Sequence, residues 1–477
     1  MENFVQNIIN AIDNLILFYS LIITGGYFLL WLIAGYFLSS YMRKTRPVDY
    51  HTIINSPIAP EISVIAPCYN ESSSIVANIR ALLNLQYNNY DVIVVNDGST
   101  DDSLEKAIAA YELKRVSYYV YDRLSTQLVR GIYRSTNKAY HNLMVIDKEN
   151  GGKADALNAG LNASGKPYVV CLDVDSIIEH DALLKLSRPF MQTHKKKLIA
   201  VGGVVHVANS CKVEKGRLIQ RRVPRKFFPR IQVLEYTRAF LIGRIAWSHM
   251  DGLLIISGAV GMFDKEVIIR CGGYLKETVG EDMELVVRMR RYMYEKGIRH
   301  KVMYLPDPLL WTEVPSDRKI LGRQRNRWIR GTMDTLYIHR KLFFNPKYGA
   351  LGMLGYPYWF FFEWLAPIVE FFGFVYFLVM ALVGLINWPL FLTILLFIYL
   401  FALSFSFFSI LYDELTFHPY KKPRENLRLF LVAMAEPFLY HPLLVYWYLK
   451  GNISYIRGNR AWGVMKRVGF EEKTNAS

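Results

Sequence analysis

The chain has 477 residues, 52% of them hydrophobic and 14% aromatic, which makes it too long and too apolar for one simple soluble domain. Its formal net charge of +16 predicts anionic partners, namely nucleic acid, a lipid surface or a phosphorylated substrate. The four cysteines lie far apart without a C-x-x-C pair. This argues against a zinc knuckle or a disulfide framework and is typical of a reducing compartment.

The first hydrophobic segment, residues 16–39, carries no charged side chain and is long enough to cross the ~30 Å hydrocarbon core of a bilayer as a helix. Residues 1–15 precede it, and residues 40–60 form a linker that contains Arg43, Lys44 and three prolines. Basic residues favour the cytoplasmic side of a span. We therefore expect residues 1–15 outside the cytoplasm and the domain that follows inside it.

An alternating strand and helix pattern begins at residue 61. Residues 61–67 and 90–96 are predicted strands, and Asn70 is the expected cap of a helix between them. Repetition of this kind predicts a Rossmann-like α/β domain with a mostly parallel sheet, spanning residues 61–347. Ligands of such sheets bind beyond the carboxyl ends of the strands.

Acidic residues follow the predicted strands. Asp173 and Asp175 end the apolar run 168–172, and Asp97 ends the strand 90–96. Alternate residues of an extended chain point the same way, so Asp173 and Asp175 are expected to project together and to favour a divalent cation such as Mg²⁺. The alternative is a polar strand end that caps the next helix. Acids at neighbouring strand ends predict a single site.

A glycine turn, Gly151-Gly152, leads into a predicted helix that begins near Lys153. Helix N-termini attract anions, so this lysine is a candidate ligand for phosphate. The turn lacks the spacing of the G-x-x-x-x-G-K-[ST] loop, which argues against a nucleotide triphosphatase. The alternative is a solvated lysine at a helix start.

Two later helices carry chemically distinctive residues. Glu281 and Asp282 open one of them, where the N-terminus alone is enough to stabilise carboxylates. Gln324, Arg327 and Trp328 are spaced to share one face of the other. An amide, a guanidinium and an indole together suit a sugar acceptor and a diphosphate.

The basic stretch 211–230 contains Phe227 and Phe228, and this mixture predicts contact with lipid headgroups. A solvated charged face is the alternative. No nucleic-acid recognition fold accompanies the stretch, so we expect no nucleic-acid partner.

Beyond residue 347 the sequence predicts a membrane half. Its expected parts are an interfacial helix (348–364), two transmembrane helices (365–388 and 389–412), a cytoplasmic loop (413–428), a membrane segment (429–449) and a basic C-terminal tail (450–477). Prolines interrupt 429–449, and the tail's positive charge favours the cytoplasm. We therefore predict a re-entrant or interfacial hairpin there, with a kinked, channel-lining span as the alternative.

The chain resembles the membrane-integrated, processive family-2 glycosyltransferases, such as cellulose, chitin, hyaluronan and poly-N-acetylglucosamine synthases. Four motifs, in this order and flanked by predicted spans, carry the resemblance: Asp97-Gly98, Asp173-Val174-Asp175, Gly280-Glu281-Asp282 and Gln324-x-x-Arg327-Trp328. Gly280 departs from the family pattern, which often has threonine there. The sequence also has no obvious counterpart of the phenylalanine-containing gating segment of cellulose synthases, which argues against that assignment.

The resemblance implies a cytoplasmic GT-A domain with a divalent cation, Mg²⁺ or Mn²⁺, and specific roles for the motif residues. Asp282 would be the catalytic base and Asp175 the metal ligand. Gln324 and Trp328 would bind the acceptor. The nucleotide sugar would be bound by Asp97, Lys153, Asp173 and Arg327.

The expected function is that of a processive, inverting β-glycosyltransferase in the plasma (bacterial inner) membrane, a multi-pass protein. It would polymerise a UDP-sugar of the UDP-N-acetylglucosamine or UDP-glucose type and pass the product across the membrane. Its expected partners are this donor, a growing polysaccharide or lipid-linked acceptor and membrane lipids, and accessory export proteins remain open. One alternative is a single-addition transferase with a polyprenyl-phosphate or other lipid acceptor. The other is a nucleotide-sensing membrane scaffold, against which the presence of every expected acid argues.

Overall fold

A computed structural model describes residues 2–45, 54, 56, 58–192, 195–214, 217–420 and 423–459. About half of the predicted linker 40–60 and the greater part of the basic tail 450–477 therefore lie outside the described residues. Helix α1 (Glu2–Thr45) contains the predicted span 16–39 and extends it in both directions, into residues 1–15 and into the start of the linker.

The described strands form a ten-stranded mixed sheet and a separate two-stranded one. In the large sheet the order is β3-β4-β5-β2-β1-β6-β11-β8-β12-β7, and β9 pairs with β10 in the small one. The strands are β1 (Ile62–Cys68), β2 (Tyr90–Asp97), β3 (Leu113–Val116), β4 (Val129–Ser135), β5 (Leu143–Lys148), β6 (Tyr168–Leu172), β7 (Ile177–Ile178), β8 (Lys197–Val207), β9 (Lys212–Glu214), β10 (Arg217–Gln220), β11 (Val260–Asp264) and β12 (His300–Thr312).

Four adjacent strands, β5, β2, β1 and β6, run parallel and form the centre of the site-bearing half of the sheet. Their β-branched side chains are almost entirely buried, which explains why these segments are continuous apolar runs. The register pairs Cys68 with Asn96 and Asp97 with Lys148, so the carboxyl ends of β1, β2 and β5 are level. The residues that follow β2, β5 and β6 therefore meet at one edge, as the sequence predicts.

Helices α2–α10 belong to the same domain. Their bounds are α2 (Ile75–Leu83), α3 (Ser103–Tyr111), α4 (Lys153–Ala163), α5 (Ala182–Met191), α6 (Phe227–Tyr236), α7 (Ile245–His249), α8 (Lys265–Arg270), α9 (Glu281–Glu295) and α10 (Arg318–Ile338). A π-helical segment, Thr237–Arg244, joins α6 to α7. The prediction that Asn70 caps α2 is wrong, because Ser74 is the cap residue. Asn70 instead has a φ of 55° and accepts a hydrogen bond from the Thr100 N–H.

Three described helices are long and apolar enough to cross a membrane: Gln6–Arg43, Leu351–Val383 and Trp388–Phe417. The second combines the segment predicted as a separate interfacial helix, 348–364, with the predicted span 365–388. It begins with π-helical and α-helical turns and continues as α11 (Ala366–Val383). The third is α12 (Trp388–Phe417), which runs past the predicted span end at residue 412.

The predicted loop 413–428 is largely helical, which corrects the sequence-based boundaries. Residues up to Phe417 belong to α12, and α13 (Pro423–Leu439) begins six residues later. Helix α14 (His441–Ile456) follows after Tyr440 alone, at an angle of 53° to α13, and extends into the predicted tail. Both ends of this bent pair contact the α/β domain.

These contacts are specific hydrogen bonds. The Val223 N–H donates to Glu425 Oε2 at 3.1 Å near the start of α13. Arg330 Nη1 donates to the Asn459 carbonyl at 2.7 Å, just after α14. Both the predicted re-entrant or interfacial hairpin and its alternative, a kinked span, stay predictions for this bent pair.

Candidate active site

Lys153 stands at the centre of the candidate site, as the first residue of α4. Its Nζ lies 2.6 Å from Asp173 Oδ1 and 3.6 Å from Glu281 Oε1. It also donates to the Gly258 carbonyl at 3.1 Å. One ammonium group thus joins the end of β6, the start of α9 and the segment before β11, three elements that are distant in the sequence.

Asp97 is buried at the end of β2 and is part of the framework beside this lysine. Its Oδ1 accepts hydrogen bonds from Lys148 Nζ at 2.5 Å and from the Gly151 N–H at 3.0 Å, and its Oδ2 accepts one from the Gly152 N–H at 2.7 Å. Asp97 therefore fixes the glycine turn that leads into α4 and so places Lys153. Its predicted contact with uridine stays a prediction, and both of its oxygens have partners within the chain.

Asp282 lies in the first turn of α9 with both carboxylate oxygens held by backbone groups. The Gly258 N–H donates to Oδ2 at 2.8 Å, and the Met283 N–H donates to Oδ1 at 2.8 Å. A side chain at position 258 would approach both Asp282 Oδ2 and Lys153 Nζ at 3.2 Å. Glycine at this position therefore lets one backbone segment contact the predicted base and the lysine together.

The site combines several carboxylates with two cations. Asp173, Glu281 and Asp282 act electrostatically on both Lys153 and Arg327, and Asp175 follows Asp173 by two residues. Burial lowers the pKa of Lys153, but Asp173 and Glu281 outweigh it and raise the pKa overall. Burial also raises the pKa of Glu281, opposed by Lys153 and reinforced by Asp282. Several carboxylates close together favour a cation or a cationic ligand.

Asp173 and Asp175 follow directly after β6 and offer the chemistry that a hard divalent cation requires. Asp173 already compensates the charge of Lys153, so a carboxylate at this edge does pair with a cation in this structure. The donor set therefore fits Mg²⁺ or Mn²⁺, with Asp175 as the proposed ligand. Glu179, His180 and Asp181 form another group of potential metal ligands, in which Glu179 Oε1 accepts hydrogen bonds from Arg221 and Trp311.

The predicted acceptor residues all lie on α10, which begins after Asp317, the residue that caps it. Gln324 is buried, whereas 40% of the Trp328 side chain is exposed. Burial lowers the pKa of Arg327, and the charges of Glu281, Asp282 and Asp173 oppose this effect. Arg327 thus belongs electrostatically to the acid cluster, and Trp328 presents a ring next to it along the same helix.

Gly280 and Gly331 bring α9 and α10 into backbone contact. A Cβ atom on Gly280 would lie 2.8 Å from the Gly331 Cα, and one on Gly331 would lie 2.7 Å from the Gly280 Cα. The contact explains the departure from the family pattern at Gly280, because a threonine there meets the backbone of α10. The Gly280 N–H donates to Thr278 Oγ1 at 3.1 Å, and the Thr278 hydroxyl donates to Asp334 Oδ2 at 3.2 Å.

Several contacts of the site were not predicted from the sequence. Lys148 pairs with both Asp97 and Asp155 in a buried network, at 2.5 and 2.6 Å. Gly258 acts through its backbone only, and Glu281 contacts Lys153. Lys148 ends the parallel strand β5, level with Asp97 at the end of β2. Its position at a strand end is the sequence signal that would have pointed to it.

Comparison with known sequences identifies the domain. Residues 59–331, more than half of the chain, match the profile of the family described as Glycosyltransferase like family 2. The poly-beta-1,6-N-acetyl-D-glucosamine synthase of Staphylococcus epidermidis is 27% identical over 330 residues, covering 68% of this chain and 66% of that protein. The synthase of the same name from Staphylococcus aureus strain COL is 27% identical over 329 residues. The chain thus spans about 66% of the length of these relatives.

A solved structure supports the same fold. A mannosyltransferase from Pyrobaculum calidifontis, in complex with GDP-Man and Mn²⁺, aligns with a TM-score of 0.51 at 16% identity. The alignment covers 92% of this chain and 99% of that one. At this identity the similarity shows the GT-A fold alone. With the family profile, it confirms the predicted α/β glycosyltransferase domain: the chain is a member of glycosyltransferase family 2.

Proposed function

We propose that the protein is a processive, inverting β-glycosyltransferase that polymerises a UDP-sugar and passes the polysaccharide across the membrane. The observation that carries the proposal is the convergence of Lys153 with Asp173 and the α9 acids, beside a helix that exposes Trp328. This arrangement combines a charged pocket for a sugar diphosphate with a flat apolar ring for an acceptor sugar.

The reaction assigns the proton transfer to Asp282. As an acceptor hydroxyl oxygen forms its bond to the anomeric carbon, its proton passes to an Asp282 carboxylate oxygen. The bond from the anomeric carbon to the diphosphate oxygen breaks on the opposite face, which inverts the configuration. The Gly258 and Met283 N–H groups hold the carboxylate in one orientation throughout. General-base help of this kind contributes ~10² to 10⁴ in rate.

The diphosphate requires positive charge from its surroundings. Lys153 and Arg327 supply part of it, and Asp175 would hold a divalent cation whose charge compensates the leaving diphosphate. When the diphosphate is bound, its negative charge competes with Asp173 for the Lys153 ammonium group. Asp97 keeps the glycine turn in place, and its further role in uridine binding is part of the proposal.

The donor is proposed as UDP-N-acetylglucosamine or UDP-glucose. Relatives named poly-beta-1,6-N-acetyl-D-glucosamine synthase favour the first, and the GDP-Man complex of the solved neighbour makes GDP-mannose a necessary comparison. The test is to reconstitute the purified chain in lipid with Mg²⁺ or Mn²⁺ and a panel of labelled UDP-sugars plus GDP-mannose. Label in material of high molecular mass supports the proposal, whereas polymer from GDP-mannose alone contradicts the donor.

The same assay separates processive synthesis from a single addition to a polyprenyl-phosphate or other lipid acceptor. Electrophoretic sizing of early products distinguishes them: long chains beside unused acceptor indicate processivity. A product one sugar longer than an added lipid acceptor indicates single addition. The exposed Trp328 ring favours a sugar acceptor.

We also propose a multi-pass protein of the plasma membrane with the α/β domain in the cytoplasm, where UDP-sugars are made. The basic residues Arg43 and Lys44 after the first span support this orientation. A cysteine placed near residue 5 should react with an impermeant thiol reagent on intact cells, and one near residue 215 should not. The reverse labelling pattern would contradict the orientation.

A further inference from the structure

One face of the Trp328 ring is covered by a residue of the same helix. Arg325 lies one turn earlier on α10, and its Cζ is 4.0 Å from the centre of the Trp328 ring. A guanidinium group at this distance from an indole makes a favourable cation–π contact, which is strongest where water is excluded. Arg325 is fully buried, at 0% exposure, whereas Trp328 is 40% exposed. The arginine therefore supports the ring from the protein side.

Arg325 is itself held by two residues from other elements. Its Nη2 lies 2.5 Å from Glu235 Oε2 at the end of α6, and its Nε donates to the Tyr440 hydroxyl at 3.3 Å. The Tyr440 hydroxyl in turn donates to Glu235 Oε1 at 2.9 Å. The three side chains form a closed ring of contacts, which fixes the plane of the guanidinium group.

Tyr440 is the single residue between α13 and α14, where the helix axes bend by 53°. Helix α14 then packs directly on α10. A Cβ atom on Gly322 would meet the Trp447 ring at 2.6 Å, and one on Gly451 would meet Ile329 at 2.2 Å. The bend thus contacts α10 at Arg325, and α14 packs on α10 beyond it.

We infer that Arg325 is a positioning residue for Trp328, and that Glu235 together with Tyr440 at the α13–α14 bend holds Arg325 in the orientation that the ring requires. The inference rests on the proposed function, because it takes Trp328 to be the acceptor platform. It assigns a role to an unspecified position of the fourth motif and to two residues outside the motifs, and it gives the bent helix pair a task in acceptor binding.

A purely structural ion pair accounts less well for the geometry. Arg325 Nη1 is buried without a hydrogen-bond partner among the described residues, so the guanidinium group is not placed to satisfy all of its donors. The group instead lies over the indole, with Cζ 4.0 Å from the ring centre. An arginine that served only to neutralise Glu235 has no need of that orientation, and a lysine would compensate the charge equally well.

The test measures acceptor and donor dependence separately in the full-length chain in lipid nanodiscs. UDP-N-acetylglucosamine is the donor, and a soluble N-acetylglucosamine oligosaccharide is the titrated acceptor. Hydrolysis of the donor to water is measured without acceptor. The variants are Tyr440→Phe, which loses one hydroxyl, and Arg325→Lys, which keeps the charge opposite Glu235 but loses the planar group.

Both variants are expected to raise the acceptor KM about three- to tenfold, the usual consequence of losing one hydrogen bond or stacking contact. Donor KM and donor hydrolysis should change less than about twofold, because neither residue contacts the acid cluster. Tyr446→Phe is the matched control: it removes a hydroxyl from an exposed tyrosine of the same helix pair and should leave every constant unchanged.

Trp328→Ala separates failure of the inference from failure of the proposed function. If Trp328→Ala raises the acceptor KM and the other two variants do not, the inference is wrong and the acceptor platform stands. Equal changes in donor hydrolysis and acceptor use in Tyr440→Phe would indicate a merely structural role and also overturn it. If Trp328→Ala itself leaves the acceptor KM unchanged, the proposed acceptor site fails and the inference fails with it.

Discussion

In two regions of this molecule, basic side chains compensate the charge of acidic side chains in different ways. Around α6, α10 and the α13–α14 pair, two acids each have their own cation: Glu235 pairs with Arg325, and Glu436 accepts from both terminal nitrogens of Arg238. At the carboxyl edge of the sheet, Lys153 contacts both Asp173 and Glu281. The first arrangement is nearly neutral pair by pair. The second joins one base to two acids.

The difference indicates what each region does. Paired charges between helices hold elements together and have little left to offer a ligand. A cluster with more acids than bases is costly in the free protein, and a bound cation reduces that cost. Substitutions in the acid cluster should therefore change activity most, and substitutions in the paired helices should change stability most.

Loss of the cation is expected to have the largest effect. Asp175→Asn replaces a carboxylate ligand by an amide, and chelation of divalent ions removes the cation entirely. Each should lower turnover by ~10³ or more, because a bound metal contributes several kcal/mol of charge stabilisation. Calorimetry should show that donor affinity falls along with metal affinity. Full activity in excess chelator would contradict the metal assignment.

Asp282→Asn is expected to separate binding from chemistry. The amide keeps the shape of the carboxylate but does not accept a proton, so turnover should fall by ~10² to 10⁴. Donor and metal affinities, measured by calorimetry, should stay close to those of the wild type.

Glu281→Gln is the control for this variant, because it removes a neighbouring carboxylate that contacts Lys153. Its effect on turnover should be milder. If Glu281→Gln abolishes label incorporation while Asp282→Asn retains it, the base is Glu281.

Breaking a charge pair in the helical region should affect stability more than chemistry. Arg238→Met leaves Glu436 buried without its cation and is expected to cost about 3–5 kcal/mol in the free energy of unfolding. The double variant Arg238→Met/Glu436→Leu should recover most of that loss. Thermal unfolding in detergent measures both.

The matched control is an exposed pair, Arg123 with Glu266, whose nitrogen and oxygen lie 2.7 Å apart. Arg123→Met should cost at most about 1 kcal/mol, because solvent screens the pair. Equal losses in Arg123→Met and Arg238→Met would refute the distinction between buried and exposed pairs in this chain.

The two regions also differ in how far the sequence predicts them. Asp97 and Asp173 follow apolar, β-branched strands, and the rule that parallel strands end at one edge brings them together without further information. Asn70 fails as a predicted cap because its backbone adopts a positive φ, which the residue type alone does not reveal. The Glu235–Arg325 pair joins residues 90 apart in sequence, and no local periodicity signals such a contact. Hydropathy locates α1 and α12 but not their ends or the bend at Tyr440.

The two regions meet where Gly280 contacts Gly331. A larger residue at either position should have the smallest effect of these substitutions. Gly331→Ala adds one methyl group that would lie 2.7 Å from the Gly280 Cα, so α9 and α10 must move apart. Overpacking of this kind costs about 1–3 kcal/mol. Because α9 carries Asp282 and α10 carries Trp328, the separation should lower turnover more than donor affinity.

Gly165→Ala provides the control for this variant, because a Cβ atom at that position meets nothing within 4 Å. Its unfolding temperature and turnover should match those of the wild type. Gly280→Thr introduces the residue that the resembling family often has at this position and should behave like Gly331→Ala or worse, since threonine is larger than alanine. If Gly280→Thr keeps wild-type unfolding temperature and turnover, the two helices tolerate a wider spacing. The backbone contact would then not set the distance between the proposed base and the acceptor platform.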